Sequence, residues 1–420
     1  MHFSGPRHRD TQFILLISQK AGPATQGLAR WCAIPLGRVG ESRVGHGGGG
    51  GGHTDCFRVV AYFPMFLGLL LTAAAVLPAP CASTTSDCTE WIKPSGQQSR
   101  VLVYRTHPFE KKNENIKRAF VFVHGILRDA DNHFRTALAA AFLANALNDT
   151  IIVVPRFASN SSVPGNEKGN CRDTLAADEA NWICEAERPD TWRSGGTAVG
   201  SQLSSFDFMD EILSRLARKD VFPNLKEIVV AGHSAGGQFV SRYVMLNQIH
   251  DKLGIAVSYV VANPSSYAYV DNLRPTASAF PSASAAAQGG PASNPANPSP
   301  AFLPFADAKN CTGYDIWPYG LKARASYSST LTDEQVTQQL VVRPVTYLLG
   351  EADVLPLGVF DVSCPAMAQG STRLGRGLAF YKYVNEHLHA HHSVVVVPFC
   401  SHSQRCMFTS DAALPLMFPN

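Results

Sequence analysis

The segment 232–237 (GHSAGG) is the part of the 420-residue sequence with the clearest chemical signal. It follows the apolar run Ile228–Ala231, which is typical of a buried strand, and it precedes an apolar helical pattern that begins near Gln238. A G-x-S-x-G segment at a sharp strand-to-helix turn exposes the serine hydroxyl above the sheet, where helix amides stabilise a developing oxyanion. We therefore predict that Ser234 is a nucleophile and that the amide of Ala235 is an oxyanion-hole donor.

Two downstream residues are the best candidates for the base and the acid that a serine nucleophile requires. Asp353 follows the predicted strand Val345–Leu349 in a glycine-containing turn, and His402 lies five residues after Val397, where the last predicted strand ends. The carboxyl ends of parallel strands meet at one edge of a sheet, so both side chains are expected beside Ser234. We predict that His402 is the general base and that Asp353 is the acid that orients it.

Other residues compete for these two roles. Glu351 and Asp361 lie close to the predicted acid in sequence and are the alternatives to it. Four further histidines precede the last strand and are therefore expected at the opposite edge of the sheet. The simpler interpretation is that they form a solvated histidine-rich surface; they are His387, His389, His391 and His392. His233, inside the GHSAGG segment, is expected to pack against the turn or to orient it.

The loop 124–127 is the candidate for the second oxyanion donor, because it directly follows the predicted strand Ala119–Val123. Gly125 permits the backbone to turn there. The amide of Ile126 or that of Leu127 would then point at the substrate oxygen. An ordinary strand-ending turn is the alternative interpretation. Acyl transfer with these groups requires no metal ion and no cofactor.

Alternating strands and helices position these segments. The predicted strands are Val101–Tyr104, Ala119–His124, Ile151–Pro155, Ile228–Ala231, Ala256–Ala262, Val345–Leu349 and Val394–Val397, and the predicted helices are Asn132–Leu147, Ser205–Lys219 and Gln238–His250. This order predicts an α/β fold with a mostly parallel central sheet and helices on both faces. With 45% hydrophobic and 16% charged residues, the chain is not a disordered polar one. A net charge of +3 gives no electrostatic footprint for nucleic acid.

The sequence divides into three parts. Residues 1–57 include a run of six glycines and are predicted to be a low-complexity extension. Residues 58–82 begin with a basic residue, continue as an uncharged apolar run and end in small residues that suit a cleavage site. This pattern predicts a secretory signal, and a membrane anchor through 59–79 is the alternative. The folded domain is predicted at 83–420, with a Pro/Ala/Ser-rich insertion without fixed structure at 276–300.

Cysteine usage agrees with export from the cell. Seven of the ten cysteines follow residue 82, so one thiol is expected to stay free. Local pairing is expected between Cys171 and Cys184 and between Cys400 and Cys406. The absence of a C-x-x-C pair argues against a structural zinc site. Glycosylation sequons at Asn148, Asn160 and Asn310 add to the prediction of a secreted glycoprotein.

The chain resembles the α/β-hydrolase superfamily, and within it secreted-type microbial serine hydrolases. The resembling segments are FVHGILRDADNHF (122–134), FPNLKEIVVAGHSAGGQFVSRYV (222–244), ANPSSYAYVDNLRP (262–275), CTGYDIWPYGL (311–321), YLLGEADVLP (347–356) and VVPFCSHSQRCMFTS (396–410). The resemblance implies a triad of Ser234, Asp353 and His402. The sequence departs from the family pattern at residues 399–401, where the family usually has small residues and glycine before the histidine.

These residues together predict a serine hydrolase that cleaves carboxylic esters, on a small-molecule or polymeric substrate. A peptidase with the same triad is one alternative. An inactive protein that uses the hydrolase fold for binding is another. Trp182 and Trp192, in the irregular segment 156–200, are expected either to form a lid or to anchor the loop to the core. The sequence makes no prediction of the oligomeric state.

Overall fold

The computed structural model describes residues 79–164, 166, 171–185, 188–276, 301–324 and 326–419. The predicted extension, nearly all of the predicted signal or anchor, and all but the first residue of the predicted insertion lie outside these ranges. Within them, no helix combines the length and the apolar character needed to cross a membrane.

Eight of the described strands form one twisted central sheet in the order β1-β2-β4-β3-β5-β6-β9-β10. The strands are β1 (Thr89–Ile92), β2 (Val101–Arg105), β3 (Arg118–Val123), β4 (Thr150–Pro155), β5 (Glu227–His233), β6 (Ala256–Ala262), β7 (Leu273–Pro275), β8 (Phe302–Pro304), β9 (Val345–Gly350) and β10 (Ser393–Val397). In this sheet β2 runs antiparallel to both of its neighbours, β1 and β4, and the other neighbouring strands are parallel. The prediction of a mostly parallel sheet is confirmed, while β1 was not predicted.

Helices cover both faces of the sheet, as predicted. They are α1 (Ala130–Leu143), α2 (Ser205–Leu216), α3 (Ala235–Leu246), α4 (Asp333–Val342), α5 (Cys364–Met367), α6 (Arg373–Lys382), α7 (Gln404–Phe408) and α8 (Leu414–Met417). Side chains of α1, α7 and α8 pack with Phe120 and Phe122 on one face of β3. Side chains of α2, α3, α4 and α6 belong to the core on the other face, with Val121 and Val123. This alternation is the period-two pattern of a strand buried on both faces.

The predicted helices differ from the observed ones mainly at their ends. The helix predicted at Asn132–Leu147 ends at Leu143, because Asn145 adopts a left-handed conformation with φ of 53°. The helix predicted from Ser205 starts there, since Ser204 and Asp207 form a reciprocal capping box. β7 and β8, which lie on either side of residues 277–300 in the sequence, pair with each other.

Four disulfides link the described cysteines: Cys81–Cys88, Cys171–Cys184, Cys311–Cys364 and Cys400–Cys406. Both predicted pairs are present. The expectation of a free thiol after residue 82 is wrong, because Cys81, which we assigned to the leader, pairs with Cys88. The boundary at residue 82 remains a prediction, but cleavage there would remove one partner of this bond.

The two tryptophans of the segment 156–200 anchor it to the core. Both indoles are fully buried. Trp192 stacks on Phe157 with ring centroids 5.4 Å apart, and Trp182 meets the same ring edge-on at 5.3 Å. Of the two interpretations offered for these residues, the lid is wrong and the anchor is right.

Candidate active site

Ser234 occupies a strained turn between β5 and α3. Its backbone has φ of 59° and ψ of −117°, a conformation that non-glycine residues rarely adopt. A Cβ on Gly232 would lie 2.1 Å from the carbonyl oxygen of Gly236, and one on Gly236 would lie 2.2 Å from that of Val123. Glycine at these two positions is therefore what permits the chain to turn this sharply against β3.

The structure brings Ser234, His402 and Asp353 together in one hydrogen-bonded chain. His402 Nε2 lies 2.9 Å from Ser234 Oγ, and His402 Nδ1 lies 2.7 Å from Asp353 Oδ2. Asp353 is only 1% exposed, so its carboxylate is shielded from water. This arrangement holds the imidazole with Nδ1–H towards the carboxylate and leaves Nε2 free to accept the serine proton.

The loops that carry the acid and the base are tied to each other. Ala352 N donates to Cys400 O at 2.9 Å, and Phe399 N donates to Glu351 Oε2 at 3.0 Å. Phe399 has φ of 59° and is exposed, so a phenylalanine occupies the left-handed position where the family pattern has small residues. The Cys400–Cys406 disulfide closes the loop around His402.

The competing acids have hydrogen-bond partners other than His402. Glu351 accepts the Phe399 amide, and Asp361 accepts a hydrogen bond from Tyr319 Oη at 2.8 Å. The expectation of a fully solvated histidine surface is wrong for His392, which is buried between Tyr347 Oη and Leu340 O; the exposed histidines of this group are His387, His389 and His391.

His233 packs beside His402. Its buried ring lies 4.8 Å from that of His402, centroid to centroid. Burial, together with the neighbouring His402, holds the pKa of His233 well below its usual range. His233 is therefore neutral, and it supports the imidazole of His402 without placing a second positive charge next to it.

The loop 124–127 runs beside the serine. A Cβ on Gly125 would lie 3.8 Å from Ser234 Cβ. His124 is buried at the base of this loop, where its Nδ1 bonds Gly125 O at 2.9 Å and its Nε2 accepts the Phe157 amide at 3.0 Å. Burial lowers the pKa of His124 to about 3, so the ring is neutral and Nδ1 carries the proton. The side chain of His124 thus holds the loop 124–127 in place.

Two clefts meet at Ser234. The smaller has a volume of about 190 Å³ and the larger about 380 Å³. Ile126 and Val359 line both clefts, Ala235 lines the smaller one only, and Leu127 lines the larger one only.

Arg373 is a component of the site that sequence reasoning missed. Its Nη1 lies 3.4 Å from Asp353 Oδ1, and both side chains are almost completely buried. Its Nε donates to Ser265 Oγ at 3.1 Å and its Nη2 to Val359 O at 2.8 Å. Burial lowers the pKa of Arg373, and the adjacent Asp353 carboxylate opposes that effect. Arg373 therefore connects the acid to two segments that border the clefts.

Asn263 is a second missed residue. It lies at the end of β6 with φ of 45°, and its Oδ1 accepts the Gly350 amide at 2.9 Å. Its Nδ2 donates to Ser401 O at 3.4 Å. Asn263 thereby holds the end of β9 and the residue before His402 in one place. The only sequence signal was its position directly after a strand.

A family model described as "Alpha/beta hydrolase family" matches residues 120–414. Solved structures with similar folds include poly(aspartic acid) hydrolase-1 from Sphingomonas sp. KT-1, with 18% identity, coverage of 81% of this chain and 99% of that one, and a TM-score of 0.47. Another is LpqC, a poly(3-hydroxybutyrate) depolymerase from Bordetella parapertussis, with 18% identity, 77% and 86% coverage, and a TM-score of 0.48.

A third is a thermostable esterase from Pseudomonas putida ECU1011, with 13% identity, 78% and 79% coverage, and a TM-score of 0.38. No curated protein matches the chain. The family match spans the segments that carry Ser234, Asp353 and His402, so the predicted α/β-hydrolase fold is confirmed.

Proposed function

Because the chain belongs to the alpha/beta hydrolase family, we propose that it is a serine hydrolase that cleaves carboxylic esters through an acyl-enzyme intermediate. One observation carries this proposal: the unbroken chain of hydrogen bonds from Ser234 through His402 to Asp353. A protein that used this fold only for binding would have no need to keep a strained serine in contact with a base and a buried acid.

The order of the three side chains supports the following reaction. His402 Nε2 accepts the proton of Ser234 Oγ, and the oxygen attacks the ester carbonyl. The imidazolium, stabilised by Asp353, then protonates the leaving alcohol. Water enters, gives a proton to His402 and attacks the acyl-enzyme, which releases the acid and restores Ser234.

The oxyanion formed in each step needs donors that are already in place. Ala235 is the first residue of α3, and the first amides of a helix have no partner within the helix. We assign the second donor to Ile126 rather than Leu127, because Ile126 lines the same small cleft as Ala235. The Ile126 carbonyl accepts a bond from Arg128 Nη1 at 2.7 Å, which holds the loop in this conformation.

We also propose that the protein acts outside the reducing cytoplasm. Four disulfides in the described part support this, because such bonds persist in oxidising compartments. Of the three sequon asparagines, Asn148 and Asn310 are exposed, which suits glycan attachment. Whether residues 59–79 are removed or anchor the chain in a membrane stays a prediction of the sequence.

The proposal is tested by comparing the wild type with Ser234→Ala on two substrates of one acid, 4-nitrophenyl butyrate and butyryl 4-nitroanilide. We expect wild-type turnover of the ester, little turnover of the anilide, and loss of ester turnover in Ser234→Ala with an unchanged melting temperature. Faster cleavage of the anilide would favour a peptidase. Equal ester turnover in the variant would refute Ser234 as the nucleophile.

A further inference from the structure

The two clefts at Ser234 differ in which side of a bound ester they can hold. The leaving alcohol must lie next to His402 Nε2, which gives it a proton. His402 lines the larger cleft, together with Leu127 and Gly358. The smaller cavity lies on the side of Ala235 and Gln238, at the start of α3. Resting on the proposed function, this geometry assigns the alcohol to the larger cleft and the acyl group to the smaller cavity.

The acyl cavity is small. Its volume of about 190 Å³ is half that of the larger cleft. A 3-hydroxybutyryl group is shorter than an octanoyl group, so this cavity favours the shorter acyl group.

The acyl cavity has charged and hydroxyl-bearing side chains beside apolar ones such as Phe360 and Val362. Arg193 and Asp361, both buried, line it together with Ser265 and Ser363. Asp361 is held in place by Tyr319 Oη, which donates to Oδ2 at 2.8 Å, and by Ser363 N, which donates to Oδ1 at 2.9 Å. A plain alkyl chain offers these polar side chains no hydrogen bond. A hydroxyl group can both donate and accept there.

The alcohol cleft differs from the acyl cavity at its mouth. Leu127, which lines this cleft and not the acyl cavity, is 59% exposed, and Val359 is 47% exposed. The cleft is twice as large as the acyl cavity and open at this apolar edge. A bulky apolar alcohol, or the next unit of a chain of esters, can therefore extend outwards.

We propose that the substrates are esters of a short acid that carries a hydroxyl group with a larger, apolar alcohol. Water is added across the acyl carbon–oxygen bond, and the products are the hydroxy acid and the alcohol. The polar lining of the acyl cavity selects the acid, and its volume limits the acid's length.

The test is a set of 2-naphthyl esters that differ only in the acyl group: 3-hydroxybutyryl, its isostere 3-methylbutyryl, and octanoyl. We expect kcat/KM to be on the order of 10-fold or more higher for 3-hydroxybutyryl than for 3-methylbutyryl, because a site that bonds a hydroxyl discriminates against its absence. Octanoyl should be the poorest substrate. Equal or better turnover of 3-methylbutyryl or octanoyl would overturn the proposal.

Arg193→Met should bring the ratio of 3-hydroxybutyryl to 3-methylbutyryl turnover close to one. Arg135→Met, at an exposed ion pair with Asp131, is the matched control and should leave the ratio as in the wild type. If Arg193→Met does not fold, Asp361→Asn gives the same ratio test, and an unchanged ratio in the folded variant contradicts the assignment of the cavity.

Failure of this inference is distinguishable from failure of the proposed function. If Ser234 reacts with a fluorophosphonate probe and long acyl esters are preferred, only the acyl-cavity assignment is wrong. If no ester is cleaved and the folded protein is not labelled, the hydrolase proposal itself is wrong, and this inference fails with it.

Discussion

Replacing Arg373 with methionine should cost both stability and activity, because this side chain holds the acid of the triad. The substitution keeps most of the apolar stem and removes the guanidinium. It leaves Asp353 Oδ1, Ser265 Oγ and Val359 O without their partner. Removing one member of a buried ion pair costs about 3–5 kcal/mol, since the remaining charge stays buried and unpaired. We expect the free energy of unfolding to fall by this amount.

The loss of activity should appear in kcat more than in KM. Arg373 lies behind Asp353, so without it the carboxylate can rotate away from His402, which slows proton transfer in the chemical step. Groups that orient a catalytic residue are typically worth about 10–100-fold, and we expect kcat to fall within that range. Arg373→Lys should recover part of kcat, because the ammonium restores the positive charge but not the three-way hydrogen bonding.

The assay pairs urea unfolding with steady-state ester hydrolysis on the same protein samples. The control is Arg135→Met, which removes the same chemical group from an exposed pair with Asp131 and should cost about 0.2–1 kcal/mol. If Arg373→Met lost no more stability than this control and kept its kcat, the buried pair would have no positioning role and the reasoning would be refuted.

Three further predictions concern the base loop, the acid and a remote carboxylate. Replacing both cysteines of the Cys400–Cys406 bond with alanine should lower the free energy of unfolding by about 2–3 kcal/mol and should also lower kcat. The same change at Cys81–Cys88, which closes a loop of nearly equal length beside β1, should lower the free energy of unfolding by a similar amount without affecting kcat. Asp353→Asn should lower kcat by roughly 10⁴-fold at unchanged fold by circular dichroism, and a larger loss from Glu351→Gln would show that the acid is misassigned. Burial raises the pKa of Asp210 to about 7, against an ordinary value of 3.8, so the folded state holds the extra proton between these pH values. Stability should therefore fall as pH rises through this window, and Asp210→Asn should flatten the urea-midpoint profile there; an unchanged slope would contradict this.

The central parts of the site could be predicted because strand ends are strong local signals. The GHSAGG segment combines glycines that the turn needs with a strand before it and a helix after it. Asp353 and His402 each follow a β-branched apolar run, so the rule that parallel strands end at one edge places them beside Ser234. The signals behind these predictions come from residues that are close together along the chain.

The features that could not be predicted from the sequence depend on contacts between distant segments. Arg373 reads as a charged residue on a short, glycine-containing helix, and nothing local shows that it is buried against an aspartate twenty residues away. Cys81 was assigned to the leader because it follows an apolar run. Its pairing with Cys88 depends on how the chain folds at the edge of the sheet. His392 and the two tryptophans were misjudged or left open for the same reason: burial is a property of the packed chain.

The most direct test of the central claim is labelling of the full chain, with its disulfides intact, by a fluorophosphonate probe, followed by peptide mapping. The account predicts one modified residue, Ser234, with no labelling of Ser234→Ala. Absence of labelling on a folded sample, or modification of a different residue, would contradict it.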